Sequence, residues 1–111
     1  MAKPVKLSNG KTWKTQTAAK AHFKEILNGL TDGDRITEES HHSDLAALVQ
    51  AYDISLPEDS RKAGKGIDHF YKDRDKEYNG MTSCFYVSRI DHTSIDFSYL
   101  RAVEVASKNV G

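Results

Sequence analysis

Met81-Thr82-Ser83-Cys84-Phe85-Tyr86-Val87-Ser88-Arg89-Ile90 is the stretch that decides how this chain folds. It is dense in aromatic and β-branched residues, which suit a pleated, half-buried surface, and it reads as a strand. Asp91-His92-Thr93-Ser94 then supplies turn-forming side chains before Ile95-Asp96-Phe97, which reads as a second strand returning along the first. Pairing Ile90 with Ile95 sets Arg89 opposite Asp96, and such an opposite-charge pair contributes about 0.2–1 kcal/mol, enough to help hold register.

Working outward, residues 66–71 predict a further strand, followed by the charged run 72–77 and a turn at Asn79-Gly80. Downstream, Ser98 can cap a short helix over residues 99–107 that buries Leu100 and Val103. At the N-terminus, residues 5–14 read as a hairpin, with Asn9-Gly10 filling a two-residue type I′ turn, Lys6 facing Trp13 and Leu7 facing Thr12. Thr15 then caps a helix whose apolar stripe is Ala19, Phe23, Ile26, Leu27 and Leu30, stopped by Gly29 or Gly33. A second helix begins at Ser43, with Asp44 complementing its positive end and Leu45, Leu48, Val49 and Tyr52 as its stripe. Residues 53–65 read as a long loop. The element order predicts an α+β fold: a small antiparallel sheet of four to five strands with an N-terminal hairpin, two main helices and a short C-terminal helix.

A chain of 111 residues has room for one core, and no repeat or Gly/Ser linker divides it, so residues 1–111 read as a single domain. With 38% hydrophobic and 29% charged residues, and the apolar types recurring periodically, wholesale disorder is excluded. No apolar run approaches the ~20 residues that cross a bilayer, and no signal-peptide core follows Met1, so the expectation is a cytoplasmic protein without membrane contact. The lone Cys84 excludes an internal disulfide and a cysteine zinc site. Net charge is zero but uneven, with +6 over residues 1–24, −8 over 25–60, +3 over 61–76 and −1 over the rest. Two basic stretches therefore flank an acidic one.

Trp13 among Lys6, Lys11 and Lys14 fits a stacking platform beside phosphate-neutralising charge; the competing reading buries Trp13 beneath the first helix. Gly64 and Gly66 with Lys62 and Lys65 suit a backbone N–H cradle for phosphate, against glycines that only permit a turn into a strand, and full P-loop spacing is absent. Arg89, Asp91 and Asp96 offer either a polar binding surface or a cross-strand pair beside a turn-stabilising Asp. His22, His41, His42, His69 and His92 raise a metal-dependent hydrolase or nuclease as a third possibility, but none has ligand spacing. No catalytic residue, metal site or cofactor is assigned. Cys84, within a hydrophobic strand, reads as a buried, inert thiol.

Lys62-Ala63-Gly64-Lys65-Gly66-Ile67, Cys84-Phe85-Tyr86-Val87, Arg89-Ile90-Asp91 and Ile95-Asp96-Phe97-Ser98-Tyr99, taken in order, resemble the DCL-like ("defective chloroplasts and leaves") family. Trp13, Ala18-Ala19, Phe23 and Ile26-Leu27 extend the likeness upstream. The resemblance implies relatives concerned with plastid ribosomal RNA maturation and a related domain at the tail of the largest subunit of specialised plant RNA polymerases. It implies no enzyme activity.

The expectation is therefore a non-catalytic module associated with nucleic acid, with RNA as candidate ligand and rRNA processing as its setting. Lys6, Lys11, Trp13, Lys14, Lys62, Lys65 and Arg89 are the candidate contacts. The alternative is a protein-interaction module of a larger nucleic-acid machine, using the acidic segment 32–39 against a basic partner.

Overall fold

The computed structural model describes residues 4–57, 60–64, 66–74 and 83–108. In chain order these form β1 (Val5–Lys6), β2 (Thr12–Trp13), α1 (Gln16–Asn28), α2 (Glu39–Asp53), β3 (Ile67–Arg74), β4 (Ser83–Arg89), β5 (Ser94–Phe97) and α3 (Tyr99–Lys108). The fold is α+β, with the hairpin β1-β2 standing apart from the antiparallel sheet β3-β4-β5. Met81 and Thr82, the Asn79-Gly80 turn, residues 75–77 of the charged run and Lys65 lie outside the described residues.

Alternation along β4 sorts the sheet into two faces. Phe85 and Val87 are fully buried, opposite Phe97 of β5 and Phe70 of β3 respectively, and these four make the sheet's share of the core. Ala19, Phe23, Ile26 and Leu27 of α1, Leu45, Ala47, Leu48, Val49 and Tyr52 of α2, and Ala102, Val103 and Ala106 of α3 supply most of the rest, with Val5 and Leu7 of the hairpin and Ile36 of the α1–α2 connection. Each large side chain so buried contributes roughly 1.5–3 kcal/mol relative to exposure. Thr15 caps α1 as its sequence suggests, its hydroxyl accepting from the Ala18 N–H at 3.0 Å.

Three local expectations are corrected. Helix α2 starts at Glu39, a turn earlier than Ser43, and no side chain caps it. The Ser43 hydroxyl instead accepts from Asn9 Nδ2 at 3.1 Å, and Asp44 is buried. Leu100 is 45% exposed, because the packed stripe of α3 runs through Ala102, Val103 and Ala106, with Tyr99 edge-on to Phe85. Both hairpin registers also differ from those expected.

Each hairpin closes with a three-residue loop, where a two-residue turn was expected in the first and the four residues 91–94 in the second. In the first, Gly10 N–H donates to Leu7 O at 3.1 Å, Leu7 N–H donates to Lys11 O at 2.9 Å, and Gly10 alone takes positive φ, +91°. This is a type I turn followed by a left-handed residue. Val5 therefore faces Trp13 and Lys6 faces Thr12, which moves Trp13 to the core face, away from Lys6. The second hairpin repeats the device: His92 N–H donates to Arg89 O at 3.0 Å, Arg89 N–H to Thr93 O at 2.8 Å, and His92 takes φ 69°. Val87 faces Ile95 and Tyr86 faces Asp96, so Arg89 and Asp96 are not partners. Asn9 and Asp91 play the same part, each accepting from the N–H two residues on, at 3.2 and 3.1 Å.

The connection between α1 and α2 joins the sheet. Gly33 N–H donates to Lys72 O at 2.6 Å, Lys72 N–H to Asp34 O at 2.9 Å and Ile36 N–H to Phe70 O at 2.8 Å, with Arg35 directly opposite Tyr71. This strip covers the free edge of β3. It also engages two of the four acids of segment 32–39: Asp32 holds Arg74 at 3.1 Å and the Ser83 hydroxyl at 2.6 Å, and Asp34 accepts from Thr31 N–H at 2.8 Å.

Candidate functional site

The glycine loop after α2 is closed around groups of the chain itself. Asp53, 6% exposed, accepts from the Lys62 N–H at 2.7 Å and the Ala63 N–H at 3.0 Å, one on each carboxylate oxygen. Two of the loop's N–H groups are thus already bound to an anion, and a third, of Gly66, donates to Ala63 O at 2.9 Å. From the other side Arg89 donates through Nε to Lys62 O at 2.9 Å and through Nη2 to Arg61 O at 3.2 Å. Gly64, at φ +54°, leaves the space in which the Arg89 side chain runs. Arg89 is therefore the clamp of this loop.

Trp13 is half-buried on the inner side of the hairpin, its ring centroid 5.1 Å from that of His22 and 5.7 Å from that of Phe23. This is a packing position against α1, as the competing reading of Trp13 has it. Beside it sits a polar hub missed by the sequence reading. Asp44, 1% exposed, accepts from Asn9 Nδ2 at 2.9 Å and from His22 Nε2 at 2.9 Å, joining the hairpin loop, α1 and α2. Lys11 and Lys14 are exposed on the hairpin, and Lys20 pairs with Glu104 at 3.1 Å.

Bases from the two distant stretches do approach one helix. Lys6 borders a cavity of about 190 Å3 beside α2, and Arg61 borders another of about 360 Å3; Gln50 and Ile54 line both. The two cavities adjoin at Gln50 and Ile54, at the C-terminal end of α2. Neither Arg61 nor Ile54 stood out in the sequence, where Ile54 lies just past the helical stripe and Arg61 inside a loop.

The outer face of β3-β4-β5 carries the alternate residues. Arg35, Tyr71, Tyr86 and Asp96 form one row across it, with the two phenol rings stacked at 5.1 Å and 12°. A bulge between Ile67 and His69 interrupts β3 there. Adjacent strand residues ordinarily point to opposite faces, and the bulge lets Asp68 and His69 meet, with Nδ1 donating to the carboxylate at 2.5 Å. That hydrogen bond, with the charges of Arg35 and His92 nearby, holds the Asp68 carboxyl below its ordinary value. Cys84 is half-buried opposite Asp73 on this outer face, not in the core. Among the described residues no group of three or more His, Cys, Asp or Glu is placed to hold a metal ion, and no helix is long and apolar enough to cross a membrane.

These features define an α+β domain whose polar groups mostly secure its own loops. The family model for a protein of unknown function, DUF3223, matches residues 24–103, and the chain belongs to that family. Its fold is similar to the solution NMR structure of an uncharacterized protein from Rhodospirillum rubrum, with a TM-score of 0.74 and 24% identity over 92% of this chain and 89% of that one. No curated protein matches the chain. The likeness to the DCL-like family is corrected accordingly, since the matching family and the solved structure are both uncharacterised and neither indicates a DCL-like domain. The residues that suggested it have structural duties. Gly64 admits Arg89, Gly66 admits Ile90, Phe85, Val87 and Phe97 are core, Asp91 ties a turn, and Ser98 accepts from Arg101 N–H at 3.3 Å at the start of α3.

Proposed function

We propose that the chain is a non-catalytic nucleic-acid-binding module that takes single-stranded RNA on the outer face of β3-β4-β5. The observation that carries this reading is the row Arg35, Tyr71, Tyr86, in which exposed Arg35 lies opposite half-buried Tyr71 and the Tyr71 ring stacks on that of buried Tyr86. Single strands are held by aromatic rings against their bases and by cations beside their phosphates, and half-buried Tyr71 retains ring surface for a base. His69, its centroid 5.9 Å from that of Tyr71, extends the platform along β3. Asp96 and Asp73 share the face, so affinity rests on stacking more than on phosphate neutralisation, and it falls only gently with salt.

The test is fluorescence anisotropy with a labelled single-stranded RNA at low salt. Tyr71→Ala is expected to cost about 1–3 kcal/mol, roughly 5- to 150-fold in affinity, with Arg35→Ala weaker in the same direction. Absence of binding by the unaltered chain, or a folded Tyr71→Ala variant that binds equally well, overturns the proposal.

A further inference from the structure

The two edges of the β3-β4-β5 sheet are not alike. The backbone of the 33–36 strip occupies the edge of β3, through its bonds to Phe70 and Lys72. The edge of β5 is open. Arg89 N–H bonds Thr93 O at 2.8 Å, and hydrogen-bonded pairs alternate along an antiparallel ladder, so Val87 with Ile95 and Phe85 with Phe97 are the next such pairs. Ile95 and Phe97 therefore aim their N–H and C=O groups at β4, while Ser94 and Asp96 aim theirs away from it. Among the described residues nothing pairs with those outward groups, and the carboxylate of half-buried Asp96 has no hydrogen-bond or ion-pair partner. An unpaired strand edge is a template for another strand.

We infer that this edge pairs with the β5 edge of a second copy, antiparallel about a two-fold axis, which joins two three-stranded sheets into one. Hydrogen bonds have to link outward-facing residues, and this leaves few registers. Centring the axis on Ile95 sets Ser94 of each copy opposite Asp96 of the other, so all the outward backbone groups bond at once. Each carboxylate then meets a hydroxyl, and the two half-buried Ile95 side chains meet across the axis. Centring on Asp96 would oppose carboxylate to carboxylate, and centring on Ser94 would run Asp96 into the turn, where His92 takes φ 69°. This self-complementarity of Ser94-Ile95-Asp96 selects a second copy over an unrelated strand. Because the β3 edge is covered, the pairing closes at two copies and does not propagate. The inference uses the backbone edge of β5 rather than the Tyr71 ring, and so stands apart from the RNA reading.

Sedimentation equilibrium from about micromolar to about millimolar protein tests it, with the mass expected to rise towards twice 12.4 kDa. Ser94 is exposed, so its replacement leaves the fold intact, which circular dichroism checks. Ser94→Lys sets an ammonium opposite each Asp96 and should tighten the dimer, whereas Ser94→Asp opposes carboxylates and should loosen it, each by about 2- to 30-fold from two cross-strand pairs. Adding Asp96→Lys to Ser94→Asp exchanges the charges and should restore association. Tyr71→Ala should leave the dimer unchanged, so this inference and the RNA reading fail separately. A monomer at every concentration, as an edge reserved for a different protein's strand would give, overturns the inference. So does a dimer that is indifferent to Ser94→Asp or is not restored by the charge exchange.

Discussion

Replacing Gly64 by Ala tests the clamp on the 61–64 loop. At φ +54° an L-residue costs about 1–2 kcal/mol relative to glycine. The added Cβ would also lie 2.8 Å from Arg89 Nε and 3.0 Å from its Cδ, the middle of the side chain rather than its mobile end. Arg89 cannot step aside without losing its bonds to Lys62 O at 2.9 Å and Arg61 O at 3.2 Å. Bonds from a charged donor contribute about 1.5–3 kcal/mol when buried; these are partly exposed, and about 1 kcal/mol for the pair is the reasonable figure. Gly64→Ala should therefore cost about 2–3 kcal/mol in the unaltered chain but only about 1–2 in an Arg89→Ala background. Urea unfolding followed by the fluorescence of Trp13, the single tryptophan, measures all four corners of the cycle. Equal costs in the two backgrounds, within about 0.5 kcal/mol, would refute the steric account.

Trp13→Ala should lose about 2–4 kcal/mol in thermal unfolding followed by circular dichroism, whereas a solvent-facing platform would lose less than about 0.5. Asp44→Ala should cost about 2–4 kcal/mol by leaving Asn9 and His22 without their shared acceptor, and Asp44→Asn clearly less, by the same denaturant titration. Because His69 holds the Asp68 carboxyl below its ordinary value, that carboxylate stabilises the fold above the unfolded-state value near 3.8 and the contribution is lost as pH falls through the lower folded value. Asp68→Asn should flatten that acid limb in unfolding measured from pH 5 to 2, while an unchanged slope would count against the His69 contact. Val103→Ala should cost about 1–3 kcal/mol and Leu100→Ala under about 1, since only Val103 is buried.

Side chains that point one way for several residues were legible in the sequence. The stripe Ala19, Phe23, Ile26 and Leu27 and the alternating Phe85 and Val87 are buried because period and apolarity coincide there. The register of the first hairpin was not legible, because Asn9-Gly10 suits a two-residue turn as readily as the last two positions of a three-residue loop. One residue of difference moves Trp13 from one face to the other. Asp44 read as a charge complementing the start of its helix and Asp53 as the first residue of a loop, and only their distant partners, Asn9, His22 and the 62–63 N–H groups, explain their burial. The 33–36 strip lacks strand composition and pairs through backbone alone, which leaves no side-chain signature. Lys6 and Arg61 were separately visible as charge, but their approach depends on α2 passing between them.

The Asp53 carboxylate is a tethered competitor. A group fixed by its own chain beside its receptor acts at an effective concentration of about millimolar or higher, so a free phosphate of modest intrinsic affinity stays outside the seat. A lysine-glycine segment can therefore have the form of a receptor loop while the acid at the end of the preceding helix already holds two of its N–H groups.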